Sequence, residues 1–210
     1  MTYPVAVLVS GSGTNLQALV DQLHRPEDEA ARIVLVVSSR ADAPALERAE
    51  AAGVPTAVVR AEDHVNRAAR DLALADVVAA AEPELVVLAG WMSILTAAFI
   101  SRFPDRVINL HPSLLPAFPG LRAIEQAHEW GSRCTGVTVH FVEEEVDSGP
   151  PILQEALSVG YGETVDSLTA RVREVEHRLL PEAVRLFAAG RVRRDPVRRR
   201  VVHVSEEVAG

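Results

Sequence analysis

The sequence contains no lysine; all 21 of its basic residues are arginine. Against 29 acidic residues the formal net charge is -8, the wrong sign for a generic binder of nucleic acid or anionic membrane. The missing lysine is itself read as a compositional bias rather than a functional signal. Cysteine is as scarce: Cys134 stands alone, which excludes an internal disulfide and a cysteine-based metal cluster and suits a reducing cytosol. Cys134 follows Arg133, but no histidine pattern that would activate a nucleophilic thiol accompanies it. Long apolar runs are absent too. The opening "MTYPVAVLVSGSG" lacks the positive start of a secretory signal, and its apolar stretch falls short of the roughly 20 residues that span a bilayer. A cytoplasmic protein with no membrane partner is expected.

What is present suffices for a core, since 48% of the 210 residues are hydrophobic, an ordinary endowment for one α/β domain. Short β-branched runs alternate with helical patterns. "VAVLVSG" precedes a helical Leu16 to Leu23, "RIVLVVSS" precedes "APALERAEAAG", and "TAVVR" precedes a helix from about Val65 to Ala81. "ELVVLAG" then leads into a helical "ILTAAFISRF", and "RVINL" comes next. Apolar runs without alternation predict strands covered on both faces, hence an α/β fold with a Rossmann-like, doubly wound, mostly parallel sheet.

After a short helix near Ala123 to Trp130 the pattern changes. In "TGVTVHFV", Val137, Val139 and Phe141 alternate with Thr138, His140 and Val142, and with "PILQEALSV" this predicts longer strands that extend the sheet in antiparallel fashion. Leu168, Val172, Val175, Leu179 and Leu186 predict one amphipathic helix from Thr164 to about Ala189. Residues 1-190 are expected to form a single domain. Residues 191-210 are expected to be a basic tail whose short strand pattern reads as an edge strand guarded by charge.

Three stretches carry candidate chemistry. In "SGSGTNLQAL", residues 10 to 19, Gly11 and Gly13 end a strand and Thr14 and Asn15 open a helix, so backbone amides with partial positive charge are accessible to an anion. The spacing is neither G-x-G-x-x-G nor a P-loop, which disfavours a dinucleotide or nucleoside triphosphate and leaves a monophosphate or a plain capped turn. In "INLHPSLLPAFPG", residues 108 to 120, Asn109 and His111 sit two apart at a strand end, where both side chains face one side. An amide can donate to a developing oxyanion and a histidine can move a proton. Pro112, Pro116 and Pro119 stiffen the loop that leaves the strand. Taken alone, His111 also reads as a loop histidine bonded to backbone. In "EEEVDSGP", residues 143 to 150, Asp147 follows a strand and can approach His111 from the neighbouring strand, orienting the ring; alone it is an acidic turn. His140, on the strand face of Thr138, reads as structural at least as well as catalytic. Zinc-type ligand spacing is missing, and no metal is expected.

Taken in order, "SGSGTNLQAL", "VVLAGWMSIL", "INLHPSLLPAFPG", "GVTVHFV" and "VDSGPPILQ" resemble the glycinamide ribonucleotide transformylases, folate-dependent formyltransferases of purine biosynthesis, over roughly residues 3 to 190. The resemblance implies the formyltransferase fold, 10-formyltetrahydrofolate as cosubstrate and glycinamide ribonucleotide as acceptor, in a monomer or homodimer. It implies catalytic roles for Asn109, His111 and Asp147. Gly13, Thr14 and Asn15 would hold the 5'-phosphate and Glu176 the glycinamide or ribose end. Arg67, Met92, Ser93, Ile94 and Leu95, with Asn109 and the loop Glu143, Glu144, Glu145, Val146 and Asp147, would line the folate site. Two positions depart from the pattern: Ser93 stands where relatives often carry a basic residue, and Arg122 where they often carry His or Asn. Formyltetrahydrofolate hydrolase and methionyl-tRNA formyltransferase share the domain. The first is expected to carry an added regulatory domain and a histidine in place of Pro112, the second a further nucleic-acid-binding domain. A third alternative is a binding module that kept the sheet without the activity.

Overall fold

The computed structural model describes residues 2–24 and 30–205. Its elements are β1 (Tyr3–Val9), α1 (Thr14–Leu23), β2 (Ala31–Ser38), α2 (Pro44–Ala51), β3 (Thr56–Val58), α3 (Arg67–Ala79), β4 (Leu85–Leu88), α4 (Ala97–Ile100) and β5 (Val107–His111). Beyond them lie α5 (Ala123–Glu129), β6 (Cys134–Phe141), β7 (Pro151–Ser158), α6 (Val165–Ala188), β8 (Val192–Arg194) and β9 (Val202–Val204). The main sheet has seven strands in the order β3-β2-β1-β4-β5-β6-β7. The strands from β3 to β5 pair in parallel, whereas β6 and β7 add an antiparallel extension, the α/β class expected from the pattern of apolar runs.

The unbroken apolar runs follow from two-sided burial. Along β1, Val5, Val7 and Val9 enter a core shared with Leu16 and Leu19 of α1 and with Leu168, Val172 and Leu179 of α6. Ala6 and Leu8 point the opposite way, toward Leu74 and Val78 of α3 and Phe99 of α4. Strand β7 closes the sheet with one covered face, and its exposure alternates accordingly. Because the strand order turns back on either side of β1, a crevice opens beyond the carboxyl ends of β1 and β4, the general ligand position in such sheets.

Local chemistry moves three boundaries from their expected places. Helix α3 starts at Arg67 and not Val65 because the Asn66 side chain caps it, accepting from the Ala69 amide at 2.8 Å. Only Ala97–Ile100 of "ILTAAFISRF" is helical, since Asp71 holds the amide and hydroxyl of Thr96 at 2.6 and 2.8 Å and keeps the preceding segment extended. The tail is not an edge strand of the main sheet: β8 and β9 pair with each other in a two-stranded antiparallel hairpin. Val192, Val202 and Val204 turn one face of that hairpin onto the core, an apolar contact that a lone charged edge strand would forgo. The last residues of the expected tail, 206–210, lie outside the described chain. Among the described residues no helix is long and apolar enough to cross a membrane.

The β6–β7 connection, residues 142–150, folds back over β6 and re-enters at Gly149. A Cβ there would stand 1.7 Å from the Phe141 carbonyl oxygen, main chain that cannot swing aside. Gly149→Ala is expected to lower unfolding free energy in urea by about 2 kcal/mol or more, the scale of a forced overpacking. An unchanged transition midpoint would show that the loop shifts freely.

Candidate active site

Strand β5 delivers Asn109 and His111 to one face of the sheet, and the antiparallel register sets His140 opposite Asn109 and Thr138 opposite His111. The 142–150 loop brings Asp147 back over this face. Its Oδ2 lies 3.2 Å from His111 Nδ1 and accepts from the Gly120 amide at 2.8 Å, while Oδ1 stands 3.7 Å from His140 Nε2. Asp147 has φ 52°, a left-handed backbone that aspartate tolerates better than most residues. His111 is 4% exposed, and its Nε2 meets the Phe118 carbonyl at 2.8 Å. The ring thus has a carbonyl at Nε2 and a carboxylate oxygen facing Nδ1.

His140 has a definite tautomer. Its Nδ1 lies 2.8 Å from the Phe141 carbonyl and therefore donates, leaving Nε2 as the acceptor that faces Asn109 Nδ2 at 3.3 Å. Burial pushes the His140 pKa down, more than the carbonyl contact and the Asp147 charge pull it up, so the ring stays neutral and able to accept. This contact orients the Asn109 amide and leaves its second N–H for a ligand. Sequence reading assigned His140 no such role, because the signal is a cross-strand register and not a motif.

The loop after His111 is pinned from several sides. Thr138 Oγ1 donates to the Ser113 carbonyl at 2.7 Å and accepts from the Leu115 amide at 3.1 Å. Ser113 Oγ donates to the Ala117 carbonyl at 2.5 Å, and the Leu115-Pro116 bond is cis. Arg122 shares its charge with Glu125 and Glu129 at 3.9 and 3.6 Å.

At the end of β1, Gly13 is the N-cap of α1 with φ 73°, and neither Thr14 nor Asn15 caps the helix. A Cβ on Gly13 would meet Ala45 Cβ at 2.7 Å, so only glycine fits both the backbone and the approach of α2. The amides at the start of α1 thus lack a side-chain cap, which leaves them for an anion. Asn15 Nδ2 donates to Glu176 Oε2 at 3.3 Å, and Asn15 Oδ1 is buried without a partner. Burial pushes the Glu176 pKa up, and the charge of Arg173, one helical turn earlier, pulls it down. Arg48 fixes the turn by donating to the Ser12 carbonyl at 2.8 Å. Arg48 and Arg173 were not singled out from the sequence; the spacing of Arg173 to Glu176 on an amphipathic helix was the available signal for one of them.

A third region lies beside these two. Arg67, Met92, Ser93 and Ile94 line a cleft of about 410 Å³ together with Asn66 and Arg70. The segment behind it is held by a buried ion pair: Arg70 Nε lies 2.6 Å from Asp71 Oδ1, misaligned for a hydrogen bond, while Arg70 Nη2 donates to the Ile94 carbonyl at 3.1 Å. Two expected folate contacts are displaced from the cleft. The Leu95 side chain is buried in the core with Phe99 and Phe103, because it faces α3 and not solvent. The Glu143 carboxylate pairs with Arg194 and borders a separate cavity of about 210 Å³. Glu144, Glu145 and Val146 are exposed on the loop that leads to Asp147.

Known proteins with similar sequences share this architecture. The family model described as Formyl transferase matches residues 3–184. The chain is 42% identical over 189 residues to phosphoribosylglycinamide formyltransferase of Escherichia coli, covering 90% of this chain and 89% of that one. It is 47% identical over 189 residues to the trifunctional purine biosynthetic protein adenosine-3 of Bos taurus, covering 90% of this chain and 19% of that protein. The chain thus spans about a fifth of the length of such trifunctional relatives. The crystal structure of glycinamide ribonucleotide transformylase 1 from Symbiobacterium toebii superposes with a TM-score of 0.92 at 45% identity, over 98% of this chain and 95% of that one.

The raised pKa of Glu176 has a consequence for stability. The folded carboxyl binds a proton more readily than the unfolded one, so its contribution is complete below the ordinary glutamate range and is lost as pH rises through the raised value. Glu176→Gln is therefore expected to melt above the parent near about pH 7 and to lose that advantage near about pH 4 by calorimetry. An equal difference at both pH values would contradict the assignment.

Proposed function

We propose that this chain, which belongs to the formyl transferase family, transfers the formyl group of 10-formyltetrahydrofolate to the amine of glycinamide ribonucleotide, a step of purine biosynthesis. The observation that carries the reading is the Asp147 carboxylate set against His111 and His140 while Asn109 keeps one amide N–H for a ligand.

The neutral amine adds to the formyl carbon, a C–N bond forms, and the formyl oxygen becomes an oxyanion. Asn109 Nδ2–H and His111 Nε2–H donate to that oxygen, and His111 exchanges the neutral Phe118 carbonyl for a charged acceptor. Asp147 stabilises the imidazolium and holds its ring by Nδ1. As the carbonyl re-forms, the bond to folate N10 breaks, N10 keeps the electron pair, and the proton lost by the amine passes to it with His111 as carrier. Holding both substrates beside these groups contributes on the order of 7 kcal/mol or more to lowering the barrier.

The substrates are assigned by the chemistry of the two flanking regions. The uncapped start of α1 at Gly13, with Thr14 and Asn15, takes the 5'-phosphate, and Arg173 adds positive charge nearby. Glu176, tied to Asn15, takes the glycinamide or ribose end. The 410 Å³ cleft, with Met92 and Ile94 exposed to it and Arg67 at its rim, takes the folate; Ser93 offers it a hydroxyl in place of a second rim cation.

Purified protein mixed with both substrates is expected to show the absorbance change of folate deformylation, and only when the ribonucleotide is present. No change with both, or deformylation without the ribonucleotide, would overturn the reading.

A further inference from the structure

The arginine-rich tail plays no part in the chemistry above, and the family match ends at residue 184, before it begins. Five of its six guanidinium groups, all but that of the exposed Arg193, are nonetheless committed within the protein. Arg191 donates to the Ser205 carbonyl, Arg198 pairs with Asp195 at 3.5 Å, and Arg199 pairs with Asp105 at 2.8 Å. These contacts knot the hairpin and leave little charge to offer a polyanion. Two further contacts reach the Asp147 loop. Arg194 pairs with Glu143 at the loop's entry, and Arg200 Nη2 donates at 2.9 Å to the carbonyl of Ser148, the residue after Asp147.

We infer that the tail hairpin is a clasp on the active-site loop, with Arg194 and Arg200 as positioning residues that hold Asp147 at His111. Arg194 is built for this. Its side chain is 10% exposed, and its guanidinium joins Glu143 to Asp105 at 3.0 Å, ahead of β5, while lying 5.7 Å over the Phe141 ring at the end of β6. One planar fork thus ties the loop to both strands that carry the cluster. The loop needs an outside hold, because Asp147 sits in a left-handed conformation and Glu144, Glu145 and Val146 beside it are exposed. Within the loop, Ser148 Oγ donates to the Glu145 carbonyl at 2.8 Å, leaving the Ser148 carbonyl as the handle for Arg200.

The inference rests on the proposed role of Asp147, and its test separates the two. In the full chain, Arg200→Ala and Arg194→Gln are compared with the parent and with Arg193→Ala, an exposed position on the same hairpin. The readouts are kcat, KM for each substrate, melting temperature, and deuterium exchange of peptides covering 142–150 and α6. Displacing Asp147 by about an ångström is expected to lower kcat by about 10- to 100-fold. The KM for the ribonucleotide stays unchanged, exchange quickens in 142–150 and not in α6, and Arg193→Ala behaves as the parent. Arg200→Lys restores most of the rate, since an ammonium can serve one carbonyl. Arg194→Lys does not, since it cannot span Glu143 and Asp105 together. Unchanged kcat and loop exchange in both variants would overturn the clasp, as would a loss of rate that comes with faster exchange throughout and a higher ribonucleotide KM. If the parent transfers no formyl group, the functional reading fails, and the exchange comparison still decides the clasp.

Discussion

The carboxylate of Asp147 lies among three groups that come from different parts of the chain. His111 arrives at the end of a parallel strand, His140 from the antiparallel strand beside it, and the Gly120 amide from the proline-rich loop between them. A nearly buried carboxylate is costly unless its lone pairs are met, and here Oδ2 accepts from the Gly120 amide and faces His111 Nδ1, groups that must themselves be held. Much of the surrounding structure does that holding. Thr138 and Ser113 fix the loop that supplies Gly120, and Gly149 allows the 142–150 loop to press on the Phe141 carbonyl. The Gly13 turn and the cleft beside Met92 lie on the same sheet edge because the strand order reverses there.

The two buried histidines differ in what their surroundings ask of them. His111 has a carboxylate facing one nitrogen and a carbonyl at the other. His140, desolvated and donating to a carbonyl, is suited to remain neutral and to accept from Asn109. The two rings therefore differ in role: one faces the carboxylate, and the other orients the Asn109 amide. The anion turn shows the same division: Gly13 provides shape, the start of α1 provides partial charge, and Glu176 is kept partly desolvated beside Asn15 at a cost to stability.

Much of the fold was legible because its physics is local or periodic. Two-sided burial makes the parallel strands uniformly apolar, one-sided burial makes β7 alternate, and the spacing of Leu168 to Leu186 marks α6. The cluster of Asn109, His111 and Asp147 was legible only through order and resemblance, since each stretch alone reads as structural. What was not legible depends on pairing across the chain. The placement of His140 against Asn109 is a matter of strand register. Leu95 and Glu143 sit beside or within the motifs that suggested them, but one is drawn into the core and the other is taken by Arg194, a partner 51 residues away. The tail carried a strand pattern and a charge pattern, and neither discloses that the hairpin reaches the loop of Asp147.

The central claim is that Asp147 acts in the chemical step through His111. The most direct measurement is the single-turnover rate of formyl transfer by Asp147→Asn, with the affinity for each substrate determined separately. The amide keeps the shape and the contact to Gly120 but loses the charge. The expected result is a transfer rate lower by about 100-fold or more, with both affinities close to those of the parent. A transfer rate equal to the parent's, or a loss explained wholly by weaker binding, would contradict it.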